Sequence, residues 1–199
     1  MPAAEKEKKR YEIRFSGSGG QGLITAAVIL AEAAGVHDGK YVCQTQSYGP
    51  EARGGKSKAE VVISEHPIDY PKARQLDLLL AMNQAACDAY YRDLPAHGLL
   101  VVDSYLVEQL PTSRIVAIPF TQIAKEAFGT ALVANMIALG AVGRLSGQVR
   151  PASLEQALLA RMPAGTSALN REALRRGMEE AATINLDALP RSLQHDDEV

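Results

Sequence analysis

Tyr11-Glu12-Ile13-Arg14-Phe15-Ser16-Gly17-Ser18-Gly19-Gly20-Gln21-Gly22-Leu23-Ile24-Thr25-Ala26 is the stretch that decides how this chain folds. Residues 11–15 pattern as a short strand, residues 16–22 as a glycine loop, and residues 23–31 as a helix. That order presents backbone N–H groups at a helix start, where an anion is favoured. The glycines at 17, 19 and 22 fit G-x-G-x-x-G. In that spacing they serve a tight turn, close backbone approach to a phosphate, and close helix–strand packing. Two readings follow. One is an anion cradle built from Gly17, Ser18, Gly19, Gly20, Gln21 and Gly22. The other is a tight β–α turn with no ligand.

The dinucleotide version of this motif lacks its second half. A nicotinamide dinucleotide site has an acidic residue roughly 20 residues on, at the tip of the second strand. The next strand-like run here is residues 40–45, which leads into Gln46-Ser47-Tyr48 without a carboxylate. Asp38 precedes that run, at its wrong end. A dehydrogenase reading is therefore disfavoured, while a phosphate site is not.

Working outward, apolar runs at 59–64, 76–82, 98–103 and 114–118 read as strands, with a helix over 83–91 between them. Continuously apolar strands separated by helices predict an α/β fold: one Rossmann-like domain whose mostly parallel sheet is covered by helices on both faces. Ligands of such sheets bind at the carboxyl ends of the strands. The glycine loop, Asn83 and Asp103-Ser104 all fall on that edge. The last third reads as helical. One helix runs from Pro119 and Thr121 to Phe128, and a second starts near Thr130. A third is capped by Ser153, residues 162–166 form a break, and a last helix spans 167–184. Gly140 and Gly143 in the second of these allow close helix packing. The domain is expected over 11–186, after a charged, solvated lead-in over 1–10. A flexible tail over 187–199 follows it.

Composition excludes several classes. A net charge of −2 in 199 residues gives no electrostatic case for nucleic acid. No run reaches the length of a membrane span. The charged start, Glu5-Lys6-Glu7-Lys8-Lys9-Arg10, is unlike a secretory signal. Two distant cysteines, Cys43 and Cys87, make a disulfide framework improbable and point to the cytoplasm. His37, His66, His97 and His195 do not cluster in sequence.

A second unusual stretch is Gln46-Ser47-Tyr48-Gly49-Pro50-Glu51-Ala52-Arg53-Gly54-Gly55. A polar loop with this much glycine needs a reason to be ordered, and a ligand or a partner supplies one. Arg53 has the fork geometry for phosphate or carboxylate; the alternative is a surface contact with Glu51.

These two stretches, with Ile68-Asp69-Tyr70-Pro71 and Val133-Ala134-Asn135-Met136-Ile137-Ala138-Leu139-Gly140-Ala141, resemble the gamma subunit of 2-oxoacid:ferredoxin oxidoreductases. The resemblance runs from about Tyr11 to Ala182 and is nearest the 2-oxoglutarate branch. It implies an enzyme complex that converts a 2-oxoacid and coenzyme A to an acyl-CoA, carbon dioxide and two electrons for ferredoxin. It implies alpha and beta partner subunits. The beta subunit would bind thiamine diphosphate with magnesium, and iron–sulfur clusters would also sit on partners. This chain has no G-D-G thiamine motif, and two cysteines cannot ligate a four-iron cluster. The resemblance assigns Gly17, Gly19, Gly20, Gln21, Gly22, Arg53 and Asn135 to the coenzyme A region. Asn135 has a second reading, as a polar helix residue satisfied at a core edge. A stand-alone nucleotide- or coenzyme-binding module is the other function compatible with these residues.

Overall fold

The computed structural model describes residues 10–48 and 56–191. A six-stranded sheet forms the centre, in the order β2-β3-β1-β4-β5-β6. Its strands are β1 (Arg10–Ser18), β2 (Tyr41–Tyr48), β3 (Lys56–Ser64), β4 (Leu78–Ala81), β5 (Leu99–Asp103) and β6 (Ile115–Ile118). The pairings β1–β4, β4–β5 and β5–β6 are parallel, whereas β1–β3 and β2–β3 are antiparallel. The helices are α1 (Leu23–Glu32), α2 (Gln84–Tyr90), α3 (Phe120–Phe128), α4 (Ala134–Ser146), α5 (Pro151–Arg161) and α6 (Ala164–Ala182). The α/β class expected from the sequence is the observed one.

One correction bears directly on function. The run at 40–45 is not the neighbour of β1. It extends to Tyr48 as β2, the edge of a β2–β3 hairpin, and antiparallel β3 lies between it and β1. The position from which a Rossmann second strand offers its ribose-binding acid is therefore filled by a strand running the opposite way.

The two faces of the sheet differ. Ile13, Phe15, Leu78, Leu80, Val101 and Ile118 point to one face, where α1 and the C-terminal helices bury them in the main core. On the other, Leu79, Ala81, Leu100 and Val102 form a smaller core with Cys87 of α2. β4 and β5 are buried along their whole length, which is why they read as unbroken apolar runs. The second face of β1 is polar yet buried. Arg14 is held there by Glu60, with Nε to Oε1 at 2.9 Å, and by Asp93, and its guanidinium stacks over Tyr90. Such pairing is what makes a buried charge tolerable.

Glu12 stitches down the connection before β4. Its carboxylate accepts from the N–H groups of Arg74 at 2.5 Å and Gln75 at 2.7 Å. Arg10 is the first residue of β1 rather than the end of a solvated lead-in. It donates to the carbonyls of Tyr70 at 2.7 Å and Lys72 at 2.6 Å. The Ile68-Asp69-Tyr70-Pro71 stretch is thus tied to the sheet from β1.

Among the C-terminal helices, α4 and α6 pack backbone to backbone. A Cβ on Gly140 would meet the Leu174 carbonyl carbon at 3.0 Å, and one on Gly177 would meet that of Ile137 at 2.7 Å. Ser153 does not cap α5. That helix starts two residues earlier with Pro151, a residue preorganised for the first turn, and Arg150 is its N-cap. Buried Ser153 instead donates to Asp38, as do the Arg150 N–H at 2.9 Å and Nε at 2.7 Å. α6 begins at Ala164, so the break before it is only Met162 and Pro163.

Candidate functional site: the glycine loop at the carboxyl edge

β1, β4 and β5 run in parallel and end together, which brings residues 18–22, Met82-Asn83 and Asp103-Ser104 to one edge. The glycine loop there is built from inside. Gln21 folds back so that its Oε1 accepts from the Ser18 N–H at 2.7 Å and its Nε2 donates to the Met82 carbonyl at 3.4 Å. Gly17 makes this possible, since a Cβ there would overlap the Gln21 amide and lie 2.6 Å from Leu23 Cδ1. Positive φ falls at Gly20 (91°) and Gly22 (70°), not at Gly19. Nothing would approach a Cβ on Gly20 within 4 Å, so the loop is open on that side. Gly19 and Gly20 are exposed.

Gly22 is the N-cap of α1 and has no side chain to satisfy the first-turn N–H groups. No acidic residue lies in that turn. Unpaired N–H groups and the helix dipole together favour negative charge at this point.

Asn135, in the first turn of α4, donates from Nδ2 to the Gly22 carbonyl at 3.2 Å. Its buried Oδ1 has no partner, the only such side-chain atom among the described residues. The expectation of a polar residue satisfied at a core edge holds for half of its amide. Arg53, the remaining candidate, lies outside the described residues, as do residues 49–55 with it.

Asn83 joins the group through a contact that no pattern announces. Its Oδ1 caps α2 by accepting from Ala86 N–H at 2.8 Å, and its Nδ2 donates to Ser18 Oγ at 2.7 Å. An asparagine between a buried strand and a helix signals the cap; the cross-strand contact depends on the β1–β4 register.

Asp103 serves structure. Fully buried, it accepts from Thr121 N–H at 3.1 Å and Oγ1 at 2.5 Å, anchoring the start of α3, and from Tyr105 N–H at 3.1 Å. Burial pushes its carboxyl above the ordinary value, and these hydrogen bonds only partly offset that.

Among the described residues, no group of three or more His, Cys, Asp or Glu is placed to hold a metal ion. Cys43 and Cys87 are both free, and burial with the nearby Asp88 charge pushes the Cys87 thiol up to about 11. Nor is any helix among those residues long and apolar enough to cross a membrane.

Residues 12–180 match the family described as pyruvate ferredoxin/flavodoxin oxidoreductase. The 2-oxoglutarate synthase subunit KorC of Methanocaldococcus jannaschii is 48% identical over 181 residues, covering 89% of this chain and 97% of the relative. A solved keto/oxoacid ferredoxin oxidoreductase gamma subunit from Geobacter sulfurreducens superposes with a TM-score of 0.79 at 49% identity, over 87% of this chain and 99% of that one. A 2-oxoglutarate:ferredoxin oxidoreductase from Magnetococcus marinus, solved with 2-oxoglutarate, coenzyme A and succinyl-CoA bound, gives a TM-score of 0.80 at 25% identity. In that case the match spans 94% of this chain but 34% of the other. On the family match and the near full-length identity to these relatives, the chain belongs to the pyruvate ferredoxin/flavodoxin oxidoreductase family.

Proposed function

We propose that this chain is the gamma subunit of a cytoplasmic 2-oxoglutarate:ferredoxin oxidoreductase, and that its glycine loop contributes to the coenzyme A region. The complex would convert a 2-oxoacid and coenzyme A to an acyl-CoA and carbon dioxide, passing two electrons to ferredoxin. End-to-end similarity to a 2-oxoglutarate synthase subunit supports the choice of 2-oxoacid. Alpha and beta subunits are the expected partners, with thiamine diphosphate, magnesium and the iron–sulfur clusters on them. The donor set of this chain does not fit a four-iron cluster, which takes four thiolates where the sequence has two cysteines, and the chain lacks a G-D-G thiamine motif.

One observation carries the coenzyme A assignment. The loop is already shaped, open over Gly20, and backed by the uncapped start of α1. Backbone N–H groups there suit a phosphate oxygen. Recognition through main-chain dipoles and hydroxyls follows from that shape, with Arg53 as the candidate charge from residues 49–55.

Co-expression with the partner subunits and titration of coenzyme A test both parts. Gly19→Asp puts a negative charge on the loop at a position free of left-handed strain. The expected result is normal assembly with the coenzyme A KM raised about tenfold or more, as loss of a charge-assisted hydrogen bond implies. An unchanged KM overturns the loop assignment. Failure to co-purify with a thiamine-binding chain overturns the subunit assignment and favours a stand-alone binding module.

A further inference from the structure

Ser18 has every main-chain group and one hydroxyl lone pair committed. Its N–H goes to Gln21 Oε1 at 2.7 Å, its carbonyl accepts from Gln21 N–H at 3.3 Å, and its Oγ accepts from Asn83 Nδ2 at 2.7 Å. A serine hydroxyl has one proton besides its two acceptor lone pairs. With Asn83 on the acceptor side, the proton must point elsewhere, and no acceptor among the described residues takes it. Ser18 is partly exposed, next to exposed Gly19 and Gly20.

Asn83 is itself held. Its Oδ1 is fixed by the Ala86 N–H at 2.8 Å, so the amide cannot flip without losing the α2 cap. The orientation of Nδ2, and through it that of the Ser18 hydroxyl, is thereby set before any ligand arrives.

We infer that Asn83 is a positioning residue that orients the Ser18 hydroxyl as a donor to a phosphate oxygen of coenzyme A on the glycine loop. The inference rests on the loop reading above and deepens it. Prior orientation matters because a freely rotating hydroxyl spends part of its hydrogen-bond energy on being fixed. Lysine is the phosphate-binding side chain in P-loops. Here the loop carries Gln21 and no lysine, which makes an oriented neutral donor more consequential.

The test uses the assembled complex and two readouts: the KM for coenzyme A during turnover, and equilibrium binding of desulfo-coenzyme A, which cannot react. Asn83→Ser keeps a good N-cap for α2 but is too short to reach Ser18 Oγ. It is expected to leave the melting temperature of the complex in place. KM and Kd should rise about threefold to tenfold, the worth of one neutral hydrogen bond. Ser18→Ala removes the donor itself and is expected to raise both by about tenfold to a hundredfold, as for a bond to a charged group. Because Asn83 acts through Ser18, the double variant should be no worse than Ser18→Ala alone.

A purely structural Asn83 predicts unchanged KM and Kd in Asn83→Ser, with lost melting temperature only in Asn83→Ala; that result overturns the inference. Multiplicative effects in the double variant also overturn it, since they would make the two residues independent. If Gly19→Asp raises KM but Ser18→Ala does not, the loop reading stands and the Ser18–Asn83 inference falls. If neither does, the loop reading has failed. Repeating the titration with 3′-dephospho-coenzyme A separates the phosphates. A retained Asn83→Ser penalty assigns the hydroxyl to the diphosphate, and a vanished one assigns it to the 3′-phosphate.

Discussion

Gly22→Ala is the perturbation that tests how the loop is held. The left-handed backbone at Gly22 costs an alanine about 1–2 kcal/mol. The new methyl would also overlap Asn135 Nδ2 and lie 3.3 Å from its Cγ, so the amide must swing away from the Gly22 carbonyl. Losing that bond costs about 1 kcal/mol. The carbonyl itself is not stranded, because the Ala26 N–H also donates to it at 3.1 Å. The total is about 2–3 kcal/mol, which for a chain of this size lowers the melting temperature by about 4–12 °C.

Gly20→Ala is the matched control. It has the same kind of backbone strain and nothing within 4 Å of the new methyl, so it should lose only about 1–2 kcal/mol. Asn135→Ala supplies the second control. It gives up one hydrogen bond but also removes the unpartnered buried Oδ1, so alone it should be close to neutral. Combined with Gly22→Ala it should bring the loss back to the Gly20→Ala level. Thermal and urea unfolding followed by circular dichroism measure all four variants. A Gly22→Ala no worse than Gly20→Ala, or one that Asn135→Ala fails to relieve, refutes the argument that Asn135 clamps the loop.

The isolated chain is expected to be colourless, free of stoichiometric iron and unable to reduce an acceptor with 2-oxoglutarate; iron analysis and a dye-reduction assay check this, and bound iron or turnover without partners would sink the subunit reading. Acid stability should report on Asp38. Burial pushes its carboxyl up, but the Ser153 hydroxyl, the Arg150 N–H and the Arg150 guanidinium outweigh burial and hold it below its ordinary value. A depressed folded value gives stability that is present above the unfolded value and lost as pH falls through the folded one, so Asp38→Asn should flatten the unfolding curve below about pH 4. Asp103 has the opposite sign: raised by burial, it should add relative stability as pH falls through its folded value, and Asp103→Asn should remove that gain.

Local sequence made the fold largely legible. β4 and β5 are buried on both faces and so carry unbroken apolar runs, which is the mark of a parallel centre. The start of α1 was fixed by the glycine loop. What stayed hidden was decided by contacts far apart in sequence. Lys40, Gln44 and Thr45 break the apolar run at 40–45, which fits an edge strand, but its antiparallel pairing with β3 is set by residues 57–64, far along the chain. Arg10 looked like part of a charged lead-in, and only the carbonyls of Tyr70 and Lys72 show that it is structural. Ser153 carried the residue type of a cap; Pro151, two residues earlier, set the helix start, which left Ser153 to bond Asp38.

At the site, residue types alone placed the loop between β1 and α1, but the contacts that its side chains make inside the fold were not legible. Gln21 was expected to touch a ligand, yet its amide is consumed inside the loop by Ser18 and Met82. The left-handed backbone positions are Gly20 and Gly22, and spacing alone could not single them out from Gly19. Three amides, from Gln21, Asn83 and Asn135, each donate a proton to the loop or the strand end beside it. A neutral frame of this kind fixes the backbone N–H groups without bringing a cation of its own. It leaves room for negative charge on the open side, and it makes the shape of the loop independent of pH over the range where carboxylates and histidines titrate. The β1–β3 register sets Lys56 opposite Ser18, so the nearest cationic residue in the sheet belongs to the strand beside the loop and not to the loop itself.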